Sequence, residues 1–453
     1  LLKQLVHFFW SKGDVNKKSY IHHDGCGSGK TAPVICAAQY HNHSGILVFP
    51  FDRVRTQMIE TFTKCGLTLT TSLDEFVAIK KENKQILLAV HPETIEAEAG
   101  GFDELTKDQV DFVMVDEIHF LFTDGQQYRK PGYKHMMNFL NNLDPHIQLI
   151  LLSATVTNKQ VKWFQTKFLS TNTALQNAKV VCGDFRVKAY PTLKVVHGKK
   201  GTLKAIINKH ISNGNIVIYF YGTYDAAEKL AETIVDDVAE AQPETIITAY
   251  ANTSDWKVNK FNDDENSMCT IMIASKTFSN GVNFTPKLKC VIVLQYLYNT
   301  LCDNVQKIGR LTRPGMDGGT AYLVVMPTIQ PILHAVSANQ SPMIVDALLD
   351  SARLLVDNTQ CYYVKMQSLF GYDNKTPCMK CDLCPGRDNA DANNEWESSG
   401  NATYPERNKL WKTINTIIDD DEKQKCQDFM KALYATKDTH KFTWGYIIFF
   451  IML

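Results

Sequence analysis

The sequence has no excess charge of either sign and no long apolar segment. Its 453 residues include 48 basic and 48 acidic side chains, so a polyanion must bind a local basic groove rather than the field of the whole chain. The longest apolar run, 442–453, is interrupted by Thr443 and Gly445 and is shorter than the ~20 residues that a membrane crossing needs. We therefore expect no transmembrane span, whereas a nucleic acid is not excluded as a partner.

The sequence as given also shows no pattern of a secretory leader, an internal repeat or a disulfide framework. It begins Leu1-Leu2-Lys3, without a basic segment followed by apolar and small residues, so secretion is not expected. No repeat of about 20–50 residues is visible. Of the 12 cysteines, four cluster between residues 361 and 384 and the others are scattered. This distribution indicates a reducing compartment and one metal site.

Short apolar runs predict two series of buried strands. The first series covers 45–50, 85–90, 112–116 and 147–152, and the second covers 215–220, 245–249, 269–274, 289–294 and 321–326. Helix-length segments such as 225–235 separate the runs, which is typical of doubly wound parallel sheets. The sequence therefore predicts an α/β fold with two sheet-based lobes.

Changes in composition predict where the domains begin and end. A polar stretch near 170–185 separates the two strand series, and a basic segment follows it that we interpret as a solvated strand and turn rather than a phosphate contact. Beyond residue 388 the sequence becomes polar and carries one short helical stretch. We predict a first lobe at 1–172, a second lobe at 173–340, a small domain at 341–387, and a linker with a helical tail at 388–453.

A glycine-rich segment precedes a lysine and a threonine near the start of the chain. Three glycines allow backbone N–H groups to approach phosphates without Cβ clashes. Lys30 is expected to reach the β- and γ-phosphates, and Thr31 to hold Mg²⁺. The candidate phosphate-binding residues are Gly25, Gly27, Ser28, Gly29, Lys30 and Thr31. Asp24 stands where the full pattern has glycine or alanine, so a simple glycine-rich turn is the alternative.

Two carboxylates follow the strand that begins at Phe112. Asp116, at the strand end, is expected to hold the metal through water, and Glu117 to orient or deprotonate the attacking water. The alternative is an exposed acidic turn with His119 on the surface. Because a phosphate loop lies upstream, we favour the nucleotide hydrolysis site.

Further polar residues fit the same site if the two lobes face each other. Small hydroxyls in the segment 153–155 end the next strand. In the second lobe, Gln306, Arg310 and Arg313 belong to one segment, and the arginines are expected on one side of a helix. A guanidinium from across a cleft would stabilise the charge that develops during phosphoryl transfer.

Taken in order, Gly-Ser-Gly-Lys-Thr, Asp-Glu-Ile-His, Ser-Ala-Thr and Gln-x-x-Gly-Arg-x-x-Arg resemble the motor of superfamily 2 helicases. The resemblance implies two RecA-like lobes that bind ATP and Mg²⁺. The cysteine spacing suits a tetrahedral structural Zn²⁺ site, with four unrelated buried thiols as the alternative. The cysteines and their surrounding sequence also resemble the zinc subdomain of RecQ DNA helicases. The four candidate ligands are Cys361, Cys378, Cys381 and Cys384.

The RecQ resemblance implies further contacts. Gly281 and Asn283 would lie near nucleotide and strand, while 49–57 and 91–93 resemble strand-contacting motifs. The segment 120–129 takes the place of an aromatic-rich loop, in which Phe122 and Tyr128 are candidates for stacking on bases or for core packing. Asp124 and Gln126 replace the usual tryptophan and histidine. Only 69 residues follow Cys384, so a complete winged helix is not expected in this sequence.

The resemblance implies an ATP-dependent 3′–5′ DNA helicase that acts on single-stranded DNA and tailed duplexes with ATP, Mg²⁺ and Zn²⁺. A DNA substrate implies a nuclear location in a eukaryote and a cytoplasmic or nucleoid location otherwise. Two alternatives stay open: an RNA-directed or duplex-translocating superfamily 2 ATPase, and a catalytically decayed nucleic-acid-binding scaffold. The cysteines favour DNA, and the intact motor residues argue against decay. The oligomeric state is left open.

Overall fold

The computed structural model contains two α/β units. One unit comprises 1–186 with 280–282 and 369–373, and the other comprises 187–279, 283–368 and 374–453. The residues that the structure describes are 20–23, 29–105, 108–123, 129–144, 146–164, 166, 179–182, 190–198, 201–220, 223–250, 255–263, 268–275, 282, 284–294, 299–312, 318–325, 342–356, 360–373 and 375–384. Among them, no helix combines the length and the apolar character that crossing a membrane requires.

The first unit is built on a parallel sheet. Its spatial order is β3 (Leu69–Thr70), β4 (Leu87–Val90), β2 (Gly45–Val48), β5 (Phe112–Val115), β6 (Gln148–Ser153), β1 (Tyr20–His23) and β7 (Lys179–Cys182). Every residue of β2, β4, β5 and β6 is buried, as expected for a parallel sheet covered on both faces. Their carboxyl ends therefore share one edge of the sheet, where the polar residues that follow them are brought together.

Helices connect the strands of this sheet. They are α1 (Ala32–His41), α2 (Asp52–Lys64), α3 (Leu73–Lys81), α4 (Pro92–Ala97), α5 (Ala99–Asp103), α6 (Lys130–Asn141) and α7 (Asn158–Trp163), with a 3₁₀ turn at Ile118–Phe122. The side chain of Ser72 caps α3 by accepting from the Glu75 N–H, and Thr157 and Gln160 form a capping box at α7. One core cluster joins Val34 of α1 and Phe62 of α2 to the strands.

The second unit contains another parallel sheet. Its order is β10 (Ile246–Ala249), β11 (Ile271–Ser275), β9 (Asn215–Phe220), β12 (Leu288–Leu294), β13 (Thr320–Val325) and β8 (Thr192–His197). Its helices are α8 (Thr202–His210), α9 (Tyr224–Asp237), α10 (Asp255–Asn262), α11 (Leu301–Ile308), α12 (Pro342–Val356) and α13 (Tyr362–Leu369), with 3₁₀ turns at Pro243–Thr245 and Gly309–Leu311. Isoleucines and valines of the strands form its core with α8 and α9.

The cysteine-containing segment lies along β8, the edge strand of the second sheet. The Leu193 N–H donates to the Lys380 carbonyl at 3.1 Å, and the Val195 N–H donates to Asp382 Oδ2 at 3.1 Å. These bonds occupy backbone donors that an edge strand otherwise leaves open. The cysteine segment is thus attached to the second sheet by hydrogen bonds from two backbone N–H groups of β8, one to a carbonyl and one to a carboxylate.

The two parallel sheets confirm the predicted pair of RecA-like α/β lobes. Each predicted apolar run contains a strand, and the predicted helix 225–235 lies within α9. Strands β1, β3, β7 and β8 are not among the predicted runs: β3 has only two residues, and β1 and β8 include polar residues. Since β7 pairs with β1, the first sheet continues beyond residue 172, where the sequence places the end of the first lobe.

Candidate nucleotide site and cysteine cluster

The described part of the glycine-rich loop leads into the N-terminus of α1. Gly29 has a φ of +80°, a left-handed conformation that glycine adopts without strain. Lys30 and Thr31 follow in a turn, and the N–H groups of Val34 and Ile35 donate to the Thr31 carbonyl, both at 3.1 Å. The free N–H groups of such a helix start favour an anion. Gly25, Gly27 and Ser28 lie outside the described residues.

Asp116 and Glu117 lie at the carboxyl end of β5. The Asp116 N–H donates to the Val48 carbonyl at 2.9 Å, which extends the pairing of β5 with β2 by one residue. The Glu117 N–H donates to Asp116 Oδ1 at 3.0 Å. Glu117 has a φ of +49°, which is unusual for a residue with a side chain and turns the chain sharply as the strand ends. Both carboxylates are therefore held at the sheet edge.

The electrostatics of Asp116 show that a cation is favourable beside it. Burial and the neighbouring Glu117 carboxylate raise the pKa of Asp116 to about 7, while the Lys30 ammonium opposes that rise. Lys30 thus lies near enough to Asp116 to interact with its charge. Carboxylate and hydroxyl oxygens are ligands that Mg²⁺ prefers, so Asp116 and Thr31 fit a magnesium ion bound with a nucleotide phosphate.

His119 connects the carboxylates to the next strand. Its side chain is buried, and Nδ1 lies 3.2 Å from Glu117 Oε2 and 3.0 Å from Ser153 Oγ. Ser153 Oγ is thus the hydrogen-bond partner of Nδ1, and the Glu117 carboxylate lies beside the same nitrogen. Ser153 Oγ also accepts from the Thr155 N–H at 3.1 Å. His119 is therefore not the surface residue of the alternative interpretation, and it fixes the orientation of Glu117.

Phe122 is not a base-stacking platform, which corrects one of the two options considered for it. Its side chain is 2% exposed and packs edge-on against Trp163 and Phe164, with ring centroids 5.2 and 5.0 Å away. An aromatic ring so enclosed cannot reach a nucleic acid base. Asp124, Gln126 and Tyr128 lie outside the described residues.

Replacing Phe122 with alanine should therefore destabilise the fold without weakening strand binding. The cavity should lower the free energy of unfolding by about 3–5 kcal/mol. Denaturant unfolding measures the loss, and Phe122→Leu should lose less because it fills part of the space. Weaker binding of single-stranded nucleic acid by folded Phe122→Ala protein would show instead that Phe122 contributes to nucleic acid binding.

In the second unit, Gln306 and Arg310 are both buried, at 7% and 6% exposure. The helix α11 ends at Ile308, and Arg310 lies in the 3₁₀ turn that follows it. Arg310 is therefore not on the helix where the sequence places it, because the change from α to 3₁₀ geometry comes between Gln306 and Arg310. Arg313, Gly281 and Asn283 lie outside the described residues.

Lys307 is a buried charged residue that the sequence analysis did not single out. It is 2% exposed, its Nζ lies 5.7 Å from the centroid of the Tyr219 ring, and it donates to Asn299 Oδ1. A buried ammonium needs such partners, because burial without them is very unfavourable. Every residue of α11 is buried, including the polar side opposite Leu301, Val305 and Ile308, so helical periodicity would predict an exposed Lys307. The available signal is the position of Lys307 between Gln306 and Arg310.

The cysteines at 361, 378, 381 and 384 form one compact cluster. Their sulfur atoms all lie within 4.8 Å of one another. The Sγ of Cys381 lies 3.6 Å from that of Cys361 and 3.5 Å from that of Cys384, and the Cys378 and Cys384 sulfurs are 3.4 Å apart. A tetrahedral zinc with Zn–S bonds of about 2.3 Å places its sulfurs about 3.8 Å apart. The cluster is compatible with a zinc site.

The surroundings of the sulfurs also suit a cation. Backbone N–H groups of Cys378, Met379 and Lys380 donate to cysteine sulfurs at 3.2–3.4 Å. Hydrogen bonds from Cys378 and Cys381 hold the pKa of Cys361 well below its usual range, whereas hydrogen bonding to Cys361 raises the pKa of Cys378 to about 12 and also raises that of Cys381. Four thiolates at this spacing would repel one another, so a bound cation would stabilise the ionised cluster.

Comparisons with known proteins agree that the chain is similar to helicases. Residues 14–164 match the family model described as DEAD/DEAH box helicase. The ATP-dependent DNA helicase Hel308 of Thermoplasma volcanium is 20% identical over 284 residues, which are 53% of this chain and 40% of that protein. The chain therefore spans about two fifths of the length of this curated relative.

Solved helicase structures share the fold. S. cerevisiae Dbp5 bound to RNA and ADP BeF3 is 14% identical with a TM-score of 0.53, covering 86% of this chain and 90% of that chain. Mss116p bound to ssRNA and AMP-PNP is 16% identical with a TM-score of 0.50, covering 80% and 82%. Residues 14–164, in the first unit, are thus similar to the DEAD/DEAH box helicase family. The solved structures show that the fold is shared. The assignment to RecQ stays a prediction.

Proposed function

We propose that the chain is an ATP-dependent 3′–5′ DNA helicase that couples ATP hydrolysis to movement along single-stranded DNA. The observation that carries this proposal is the assembly of Asp116, Glu117 and His119 at one sheet edge, with Lys30 near enough to interact with Asp116. A lysine, paired carboxylates and a helix N-terminus together suit a nucleoside triphosphate better than any other ligand class.

Each motif residue has a distinct role in this proposal. Lys30 binds the terminal phosphates, and Thr31 and Asp116 hold Mg²⁺, which would neutralise phosphate charge when bound. Glu117, oriented by His119, accepts a proton from the attacking water. The residues that the proposal assigns to phosphate binding or to the closing second lobe are Gly25, Gly27, Ser28, Gly29, Gly281, Asn283, Gln306, Arg310 and Arg313.

DNA is the proposed polymer, and RNA is the second candidate. The four-cysteine cluster and its RecQ-like sequence favour DNA, as does the similarity to Hel308, which is named a DNA helicase. RNA is kept as a candidate because the two similar solved structures, Dbp5 and Mss116p, contain bound RNA. In the proposal Zn²⁺ is structural, tailed duplexes are unwound, and the location is the nucleus of a eukaryote or the cytoplasm or nucleoid of another cell.

Measuring phosphate release with each polymer should separate these functions. We expect single-stranded DNA to raise turnover at least about tenfold over the chain alone, because strand binding completes the hydrolysis site. RNA of the same base sequence should stimulate less. Stronger stimulation by RNA would establish the RNA-directed motor, while no stimulation by either polymer, with strand binding retained, would establish a scaffold.

The direction of movement along DNA is measured in a separate experiment. Duplexes with a 3′ or a 5′ single-stranded tail, supplied with ATP and Mg²⁺, report the direction of movement by strand release. Release from only the 3′-tailed duplex agrees with the proposal, and release from only the 5′-tailed duplex contradicts it.

A further inference from the structure

The segments 49–57 and 91–93, which are proposed to contact the nucleic acid, follow neighbouring β-strands of the first sheet. β2 and β4 are adjacent and parallel, and the Phe49 N–H donates to the Val90 carbonyl at 2.9 Å beyond the last paired residues. Asp52 then begins α2, and His91 is the residue before α4. The two helix starts therefore emerge side by side from the same edge of the sheet.

The imidazole of His91 joins these two segments. Its Nδ1 lies 2.9 Å from the Phe49 carbonyl oxygen, and its Nε2 lies 2.7 Å from Asp52 Oδ1. A carbonyl oxygen only accepts, and the Asp52 carboxylate only accepts when ionised. Both ring nitrogens must therefore carry a proton for both bonds to form, which makes the ring an imidazolium.

Asp52 is ionised under ordinary conditions. The hydrogen bond from His91 holds the pKa of the Asp52 carboxyl below its usual range, with further contributions from the charges of His91, Arg55 and Arg129 and an opposing effect of burial. Arg55 also donates to Asp52 Oδ1 at 2.8 Å. The Asp52 carboxylate therefore stays an acceptor for the His91 ring whether or not that ring is doubly protonated.

Other charged groups around His91 come from two further elements. Glu93 lies in α4 and interacts electrostatically with His91. Its carboxylate accepts two hydrogen bonds from Arg129, one from Nε at 2.7 Å and one from Nη2 at 2.6 Å. Arg129, which precedes α6, also donates to the Pro50 carbonyl. With His91 protonated, the three cations and two carboxylates carry one net positive charge, and with neutral His91 they carry none.

We propose that His91 is a proton-dependent positioning residue for nucleic acid binding on the first lobe. As an imidazolium, His91 hydrogen-bonds both the end of β2 and the first turn of α2 and so fixes their relative position. It also adds a positive charge beside the proposed nucleic acid contacts. As a neutral ring it loses one of its two hydrogen bonds and that charge. The inference rests on the proposed function, since it takes the two segments as strand contacts.

The first test observes the ring itself. In the ¹⁵N-histidine-labelled 453-residue chain, the His91 resonances, assigned through His91→Gln, should show both nitrogens protonated at neutral pH. Asp52→Asn keeps an acceptor but removes the charge, so the ring should release its proton at lower pH than in the unaltered chain. Asp52 is exposed, so this variant should fold. A neutral ring at pH 7, or identical titration in the two proteins, would overturn the proposal.

The second test measures strand affinity by fluorescence anisotropy with labelled oligothymidylate at constant ionic strength. Affinity should fall about fivefold between about pH 6 and about pH 8.5, the range of imidazole titration, because a charged hydrogen bond is lost. His91→Gln should show little of this dependence. His146→Gln is the matched control, since His146 bonds Asp144 at 2.8 Å outside this network and should keep the full pH dependence.

The outcomes distinguish the positioning role of His91 from the proposed helicase function. The same pH profile in His91→Gln and the unaltered chain refutes the role of His91 while strand binding stands. A chain that binds no strand at any pH refutes the proposed function, and the positioning role with it, whatever the histidine resonances show.

Discussion

Lys30→Ala protein should retain its fold and lose strand-stimulated ATP hydrolysis. Lys30 lies in a partly exposed turn between Gly29 and α1 and belongs to no core cluster of the first unit. Its removal leaves the γ-phosphate without its proposed cation, and losing one preorganised charge contact of this kind typically lowers kcat about 10²–10³-fold. Phosphate release in the presence of single-stranded DNA measures the effect, and thermal unfolding checks the fold.

A matched lysine separates the specific effect from a general change in charge. Lys81 is exposed at the end of α3, so Lys81→Ala changes the net charge equally and should keep normal turnover. Persistent hydrolysis by pure Lys30→Ala protein, at the rate of Lys81→Ala, would refute the nucleotide site. Loss of hydrolysis in both variants would show that net charge, rather than phosphate contact, controls turnover.

Glu117→Gln distinguishes binding from chemistry at the same site. The amide keeps the size of the side chain and still offers an oxygen to His119, which lies 3.2 Å from the present carboxylate. Nucleotide affinity should therefore stay close to normal while turnover falls, because an amide cannot accept the proton of the attacking water. Lys30→Ala, in contrast, should lose affinity as well as turnover.

The strands were predictable because parallel sheets buried on both faces need continuous apolar runs. Gly45–Val48 and Phe112–Val115 are completely buried, and their sequences carry no polar side chain. The paired carboxylates were predictable for the same reason, since Asp116 ends such a run. Edge strands give a weaker signal: β8 includes Thr192 and Lys194, whose side chains are only partly buried.

The orientation of aromatic and histidine side chains was not predictable. Phe122 lies in a 3₁₀ turn, where side chains follow neither the helical nor the strand period, so sequence spacing did not show that its ring faces Trp163. The His91 contacts to Phe49 and Asp52 span about 40 positions and depend on the order of strands in the sheet. Such contacts require the topology, which local patterns do not contain.

Cys381→Ser should remove the proposed zinc and destabilise the second unit. Cys381 is completely buried in the sulfur cluster, and a serine hydroxyl is a poorer zinc ligand than a thiolate. Metal analysis of the unaltered chain should find one zinc per chain, and the variant should contain substantially less. Because binding free energy of a structural zinc contributes to folding, the unfolding free energy should fall by about 3 kcal/mol or more.

The destabilisation should extend to β8. The cysteine segment accepts hydrogen bonds from Leu193 and Val195 through Lys380 and Asp382, and Tyr363 Oη donates to the Pro191 carbonyl at 2.7 Å beside them. If the sulfur cluster opens, these bonds lose their fixed partner. Hydrogen exchange at the amides of Leu193 and Val195 should therefore become faster in Cys381→Ser, while exchange in β2 and β5 of the first unit stays unchanged.

A buried cysteine outside the cluster provides the control. Cys269 is also buried, and its sulfur donates to the Glu244 carbonyl at 3.2 Å, so Cys269→Ser reports the general effect of replacing a buried thiol in this unit. It should lower stability without loss of metal and without faster exchange in β8. Equal zinc content in Cys381→Ser and Cys269→Ser would contradict the metal site. Equal exchange of β8 in the two variants, with zinc lost only from Cys381→Ser, would show that the metal holds the cysteine segment together without stabilising the sheet edge.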